Sequence, residues 1–311
     1  MTTTLRGQRL EAPEMPSGEI RLQPPPELDR SEGASGVMMN AIPMLGSLGS
    51  IVLVASMGAG GGGGRGVATT RRLAADGYKV VVTGRRVGPI EEVASAVGGL
   101  AVVADASQEV DCRRAVDTTL EEFGRLDVLV ANAGVEAFGS AIDIELAEWR
   151  HVMDVNVDGV LLSVRASVEA LKESRGAVVV VASVAALAAG PSFSAYVTSK
   201  TALLGLVRSL AVDLGSSGVR VNAVCPGWVA TEMSNREVAE LGLALNCTDE
   251  SVRDRLVQHL PLNRMAEPSE IASCIAFLAG PDSAFMTGTA LIVDGGGSAV
   301  DVGTIAYRDL G

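Results

Sequence analysis

AVVVVASVAALAAGPSFSAYVTSK, residues Ala177–Lys200, is the stretch on which the fold turns. It opens with Ala177–Ala182, a continuous β-branched run bounded by alanines, the pattern of a strand covered on both faces. The sequence becomes helical around Tyr196 and stays so to about Leu214. Ser183 then stands at the C-terminal end of the strand. Tyr196 and Lys200 fall about one turn apart on a single helix face. Ligands of open parallel sheets bind beyond the C-terminal strand ends, so these side chains sit where chemistry is expected.

The same alternation continues in both directions. Strands are predicted at Lys79–Thr83, Leu100–Ala104, Leu126–Ala131 and Arg220–Val224. Helices are predicted at Val67–Asp76, stopped by Gly77, and at Ile90–Val97, Val110–Phe123 and Leu146–Ser174, the last a single long element. Repeated β–α units predict an α/β fold with a doubly wound, Rossmann-like parallel sheet and helices on both faces. The 311 residues are 48% apolar but only 3% aromatic, which suits tight helix-on-sheet packing. A net charge of −12 excludes nucleic acid as a partner, since phosphate binding needs a positive surface. Cys112, Cys225, Cys247 and Cys274 are widely spread, and His151 and His259 have no zinc-like spacing. We expect free thiols in a reducing, cytoplasmic setting and no metal.

The first residues differ in character. Residues 1–35 are rich in Pro, Glu, Arg and Ser and predict a solvated tail without a secretory signal. No charge occurs from Gly33 to Gly64, and Val37–Met57 is long enough to span a bilayer. Asn40, Pro43 and several glycines dilute it. A competing reading takes Ile51–Ser56 as the first buried strand. The expected division is an N-terminal extension over 1–50 and a dinucleotide-binding oxidoreductase domain over 51–311.

A free tyrosine has a pKa of about 10, too high for an efficient base at neutral pH. A nearby lysine ammonium favours the phenolate, so Tyr196 can move a proton to or from a substrate oxygen that Ser183 holds. A lone Tyr-x-x-x-Lys is common by chance. Here it joins Ser183, ANAG at Ala131–Gly134, CPGWVAT at Cys225–Thr231 and AEPSEIASCIAFLAGPDSAFMTGTALIVDGGG at Ala266–Gly297. Together, over roughly Val67–Ser298, these resemble the short-chain dehydrogenase/reductase family. The resemblance implies hydride transfer between a nicotinamide cofactor and a hydroxyl/carbonyl substrate in a homo-oligomer, dimer or tetramer. It implies Tyr196 as acid/base, Lys200 lowering its pKa and binding ribose hydroxyls, Ser183 orienting the carbonyl and Asn156 holding a relay water. It further implies Asp105 at the adenine amino group, and Asn132 and Gly134 at the central strand end. Thr231 would hold the carboxamide above a turn shaped by Pro226 and Gly227. TGRR at Thr83–Arg86 offers no acidic residue for ribose hydroxyls, so Arg85 or Arg86 would pair with a 2′-phosphate and NADP(H) is favoured over NAD(H).

The family's opening glycine motif is altered. Its positions correspond to Ala59–Gly66, where Gly60, Gly64 and Gly66 fall correctly, Ala59 replaces a threonine and Arg65 an isoleucine. We expect Ile51–Ser56 to serve as the first strand, Arg65 to turn toward phosphate, and cofactor affinity to be weakened. Met15–Leu28 and Pro43–Gly58 also resemble the leader of type VII secretion ATPases of the FtsK/SpoIIIE class. No ATPase phosphate loop follows, and a fusion is implied. The alternative function is an impaired dehydrogenase domain tethered to a membrane through 37–57. Glu232–Leu260 is expected to form a mobile lid with Met233 on an apolar pocket wall. A 3-oxoacyl thioester, a hydroxysteroid-like ring and a small secondary alcohol all remain open as substrates.

Overall fold

The structure, a computed structural model, describes residues 49–55 and 64–310. The predicted tail, Gly60 and most of the secretion-ATPase-like leader lie outside the described residues. Seven strands form one parallel sheet in the order β3-β2-β1-β4-β5-β6-β7. They are β1 (Ile51–Ala55), β2 (Lys79–Gly84), β3 (Leu100–Val103), β4 (Val128–Ala131), β5 (Ala177–Val181), β6 (Arg220–Pro226) and β7 (Ala290–Val293). The chain runs outward from β1 to β3, then returns to β4 on the other side of β1. The order therefore reverses between β1 and β4, and a crevice opens at their C-terminal ends.

The helices between them are α1 (Arg65–Ala75), α2 (Val87–Ala96), α3 (Glu109–Phe123), α4 (Leu146–Met153), α5 (Gly159–Ser174) and α6 (Ser194–Gly215). Beyond β6 come α7 (Glu232–Leu245), α8 (Asp249–Val257) and α9 (Pro268–Ala279). Each central strand is apolar at every position because both its faces are covered. Along β1, Ile51 and Leu53 join a core with Leu129, Val178 and Leu203. Val52 and Val54 face the opposite core, with Leu73, Ile90, Ile271 and Ile275. Side chains of a strand alternate between faces, so five consecutive apolar residues feed two cores at once. Burial of each such Val, Leu or Ile stabilises the fold by roughly 1.5–3 kcal/mol.

Ile51–Ala55 thus decides between the two readings of the apolar segment. It pairs with β2 and β4 in the middle of the sheet, so the membrane reading fails for that part. Among the described residues no helix is long and apolar enough to cross a membrane. The start of β1 is tied down electrostatically. The buried Asp127 carboxylate accepts the Ile51 N–H at 2.7 Å and two Arg125 hydrogen bonds, at 3.0 and 2.5 Å. The Asp127 N–H returns a bond to the Ile51 carbonyl at 2.9 Å.

The long helix predicted over 146–174 is not continuous. A wide, π-helical turn at Asp154–Asp158 separates α4 from α5. Such turns rotate side chains out of helical register and recur at functional sites. Here the displaced residue is Asn156, which is fully buried.

Candidate active site

β5 and α6 deliver the central residues. The backbone is extended at Ser183, φ −169°, just beyond β5, and its hydroxyl accepts the Ala185 N–H at 3.2 Å. A 3₁₀ turn at Val184–Ala186 and a short loop then lead into α6, whose first turn carries Tyr196. The Tyr196 and Ser183 side chains line one cavity, and the Ser183 hydroxyl is near enough to favour the Tyr196 phenolate. Lys200, one turn on, is buried with its Nζ 5.6 Å from the Tyr196 ring centroid, and it donates to the Val181 carbonyl at 3.0 Å. Spacing of four on a helix brings Tyr196 and Lys200 together, and the strand end supplies both Ser183 and the lysine's anchor.

Asn156 braces the same assembly. Its Nδ2 donates to the Val135 carbonyl at 2.8 Å and to Ser199 Oγ at 2.9 Å, and its Oδ1 accepts the Val135 N–H at 2.8 Å. Both amide hydrogens are engaged, so this side chain ties the loop after β4 to α6. One lone pair on Oδ1 remains for any further bond.

Burial drives the electrostatics. It raises the Tyr196 phenol, while Arg65 and the Ser183 hydroxyl pull it down and Glu136 and Glu237 push it up. Burial, followed by the charge of Arg65, lowers Lys200 to about 7. The sequence assigned the lowering of Tyr196 to Lys200; in the structure Arg65 leads among the groups that lower it. Arg65, expected to turn toward phosphate, lines the cavity that holds Ser183, Tyr196, Gly227 and Thr231.

The remaining predicted positions lie along the strand-end crevice. Thr83, Gly84, Arg85, Asp105 and Gly134 line one cleft. Asp105 accepts from the Ser107 N–H at 3.0 Å and hydroxyl at 2.8 Å, and stands 4.0 Å from Arg85. Arg85 and Arg86 are both exposed. The Asn132 and Ala133 N–H groups donate to the Ala55 carbonyl at 2.9 and 3.0 Å, closing the β1–β4 strand ends. Gly64 has φ +121° and no capping side chain, and α1 has no acidic residue in its first turn. Among the described residues no side chain caps its first N–H groups, the arrangement that suits an anion at a helix N-terminus. A Cβ on Gly64 would stand 3.3 Å from Thr231 Cγ2. Gly66 lies in the first turn of α1. At Gly227 a Cβ would come within 2.9 Å of the Asp294 backbone, so only glycine fits beside buried Pro226. Thr231 caps α7, accepting the Ser234 N–H at 3.3 Å. Taken together, the open helix end, the glycine approach and the polar cleft fit an extended dinucleotide.

Next to them is a cavity of about 340 Å³. Val184, Ala188, Phe193, Trp228 and Met233 supply apolar wall, as the lid expectation required of Met233. Two residues escaped the sequence reading. Glu136, which follows the ANAG strand end by two residues, and Glu237 of α7 line this cavity, where burial and then Glu136 push Glu237 up to about 8. Glu136 was within reach of motif reasoning; Glu237 becomes visible only once α7 folds over the site.

Residues 58–298 match the protein family described as enoyl-(acyl carrier protein) reductase. The chain is 35% identical to meso-2,3-butanediol dehydrogenase of Serratia marcescens, over 81% of its own length and 95% of that protein. It is also 35% identical to a 3-alpha-(or 20-beta)-hydroxysteroid dehydrogenase of Mycobacterium tuberculosis, over 85% and 94% of the two chains. Among solved structures it resembles levodione reductase, with a TM-score of 0.75 and 32% identity over 81% of this chain and 98% of that one. These three likenesses are to dehydrogenases and reductases, and they lend the secretion-ATPase resemblance of residues 13–64 no support.

Proposed function

This chain belongs to the short-chain dehydrogenase/reductase family of NAD(P)-dependent oxidoreductases, and we propose that it interconverts a secondary alcohol and its ketone with NADP(H) as the preferred cofactor. The observation that carries this is the Tyr196–Ser183 hydroxyl pair, backed by buried Lys200 and open to the 340 Å³ cavity. When bound, the cofactor supplies or accepts the hydride at the substrate carbon. Ser183 holds the substrate oxygen beside the phenol. Tyr196 donates the proton in reduction and takes it in oxidation. Lys200, fixed on Val181, has two further N–H groups for ribose hydroxyls and the proton path. Asn156 keeps the β4 loop and α6 in register and offers its spare lone pair to a water.

Gly64, Gly66 and the N-terminus of α1 would receive the pyrophosphate, with Gly60 preceding them. Asp105, Asn132 and Gly134 would flank the adenosine half. Pro226, Gly227 and Thr231 would frame the nicotinamide. Arg85, exposed beside Asp105, would pair with the 2′-phosphate. The oxidoreductase domain would then span 51–311. Exposed Val212, Phe277 and Phe285 favour a homo-oligomer. A 340 Å³ cavity suits a small alcohol better than a long thioester arm.

Fluorescence titration with NADPH and NADH tests the assignment. NADPH should saturate at micromolar concentrations, with NADH binding roughly tenfold or more weaker, about 1.4 kcal/mol. Arg85→Asp should reverse that order. Failure of the folded chain to bind either cofactor overturns the proposal, and submicromolar binding overturns the expected weakening by the altered glycine segment.

A further inference from the structure

We propose that Ser199 is a positioning residue for proton transfer: its hydroxyl ties Asn156 to the helix that carries Tyr196 and Lys200, and so keeps these groups in register. This role rests on the alcohol/ketone activity argued above and adds a residue to the same site.

Ser199 lies on α6 between Tyr196 and Lys200 and is fully buried. Its hydroxyl donates to the Tyr196 carbonyl at 2.8 Å and accepts from Asn156 Nδ2 at 2.9 Å. A serine inside a helix commonly bonds a carbonyl of the preceding turn, and that bond alone would only satisfy the hydroxyl. The second bond is different in kind. It reaches 43 residues back along the chain to the wide turn at Asp154–Asp158, and its partner Asn156 is fully buried as well.

The sense of these bonds follows from what each group can donate. A carbonyl only accepts, so the one Ser199 proton goes to Tyr196. Ser199 Oγ is then an acceptor toward Asn156, and the amide presents Nδ2 to it. Val135 asks for the same sense. Its carbonyl takes Asn156 Nδ2 at 2.8 Å, and its N–H donates to Oδ1 at 2.8 Å. With both amide hydrogens engaged, one lone pair of Oδ1 stays open. A Cβ built on Gly134 would stand 3.5 Å from that oxygen and 3.4 Å from Lys200 Nζ. The amide oxygen and the lysine ammonium therefore both border Gly134, and Ser199 is the hydrogen-bonded link that holds the first on the helix of the second.

Without the hydroxyl, Asn156 keeps its bonds to Val135 but loses its tie to α6. One buried N–H is left unsatisfied, and the loop after β4 is free to shift against the helix. A displacement of about 1 Å is enough to slow a positioned reaction on the order of 10²-fold. Lys200 remains fixed on the Val181 carbonyl at 3.0 Å, so cofactor affinity should hold.

The test measures kcat for oxidation of 2-butanol with NADP⁺, and NADPH affinity by fluorescence, in wild type, Ser199→Ala, Asn156→Ala and the double variant. Ser199→Ala should lower kcat about tenfold or more and leave NADPH affinity within about threefold. Its solvent deuterium isotope effect on kcat should rise, because proton transfer is the step that slows; a merely structural serine would not move it. The double variant should be no slower than Asn156→Ala, since Ser199 acts through Asn156. An active wild type overturns this inference alone if folded Ser199→Ala matches its kcat, if the isotope effect stays unchanged, or if the two substitutions multiply in the double variant. Where Ser199→Ala does not fold by circular dichroism, Ser199→Cys, whose sulfur accepts only weakly, is read by the same criteria. Where the double variant does not fold, the isotope effect decides. A wild type that binds NADPH but does not oxidise 2-butanol overturns the role of Ser199 together with the activity on which it rests.

Discussion

The β5–α6 half of the active site and the β1–α1 half meet at one cavity but are held in different ways. On the β5–α6 side the working groups are locked by their neighbours. Lys200 is anchored on Val181, Asn156 and Ser199 are bonded together, and Ser183 is fixed to Ala185. On the β1–α1 side the strand is paired along its length with β2 and β4 and tied at its start by Asp127, but α1 begins at Gly64 with no side-chain cap from that residue. The difference reflects task. Proton transfer needs atoms fixed within a fraction of an ångström, whereas an anion site needs backbone N–H groups left open. The half that looks less finished leaves its bonding capacity for a ligand.

Tyr196→Phe gives the largest expected effect, because it removes the proton-transfer group and leaves the β1–α1 side untouched. Turnover should fall on the order of 10³-fold, within the usual range for a positioned acid/base. NADPH affinity, read by fluorescence, should change by less than about threefold. If cofactor binding collapses with turnover, the two halves are not separable and the contrast fails.

How much was visible beforehand follows the same divide. Ala177–Lys200 could be read almost to the residue, because strand burial and helical spacing are both local properties of the chain. Val128–Ala131 and Lys79–Gly84 were legible for the same reason. The break at Asp154–Asp158 was not, since a single extra residue per turn leaves the apolar period of the flanking helices nearly intact. Arg65 was identified as unusual, but its place on the wall of the Tyr196 cavity was not read. Its direction depends on where α1 sits against α7 and the β4 loop, and no local pattern encodes that. Glu136 and Glu237 are 101 residues apart in sequence, so their meeting in one cavity could be found only in three dimensions.

Asp127→Ala tests the other half and should act on stability first. It removes the acceptor of the Ile51 N–H and of Arg125, leaving a buried donor unsatisfied at the start of the central strand. A loss of about 3 kcal/mol is expected, measured as a lower midpoint in urea. The carboxylate also orders β1, so NADPH binding should weaken more in this variant than in Tyr196→Phe. A stability loss below about 0.5 kcal/mol would mean that pairing with β2 and β4 holds the strand unaided.

Arg65→Ile should give the smallest effect, and the most informative about how the halves communicate. A cation near Tyr196 favours the phenolate, and Arg65 is the leading group that lowers this phenol. Its removal raises Tyr196. Alcohol oxidation needs the phenolate, so the ascending limb of kcat/KM against pH should move to higher pH. Carbonyl reduction needs the phenol, so its descending limb should move the same way. Lys200 opposes this in part. Freed from Arg65, it keeps its proton to a higher pH than about 7 and so favours the phenolate itself. The direct influence should win, because Arg65 heads the groups that lower Tyr196 while Lys200 is bonded to the Val181 carbonyl. On the plateau, rates should stay within about threefold of wild type, since no proton-transfer group is lost. Limbs that do not move would show that Glu136 and Glu237 already neutralise the arginine, leaving the β1–α1 half with no voice in the chemistry of the other.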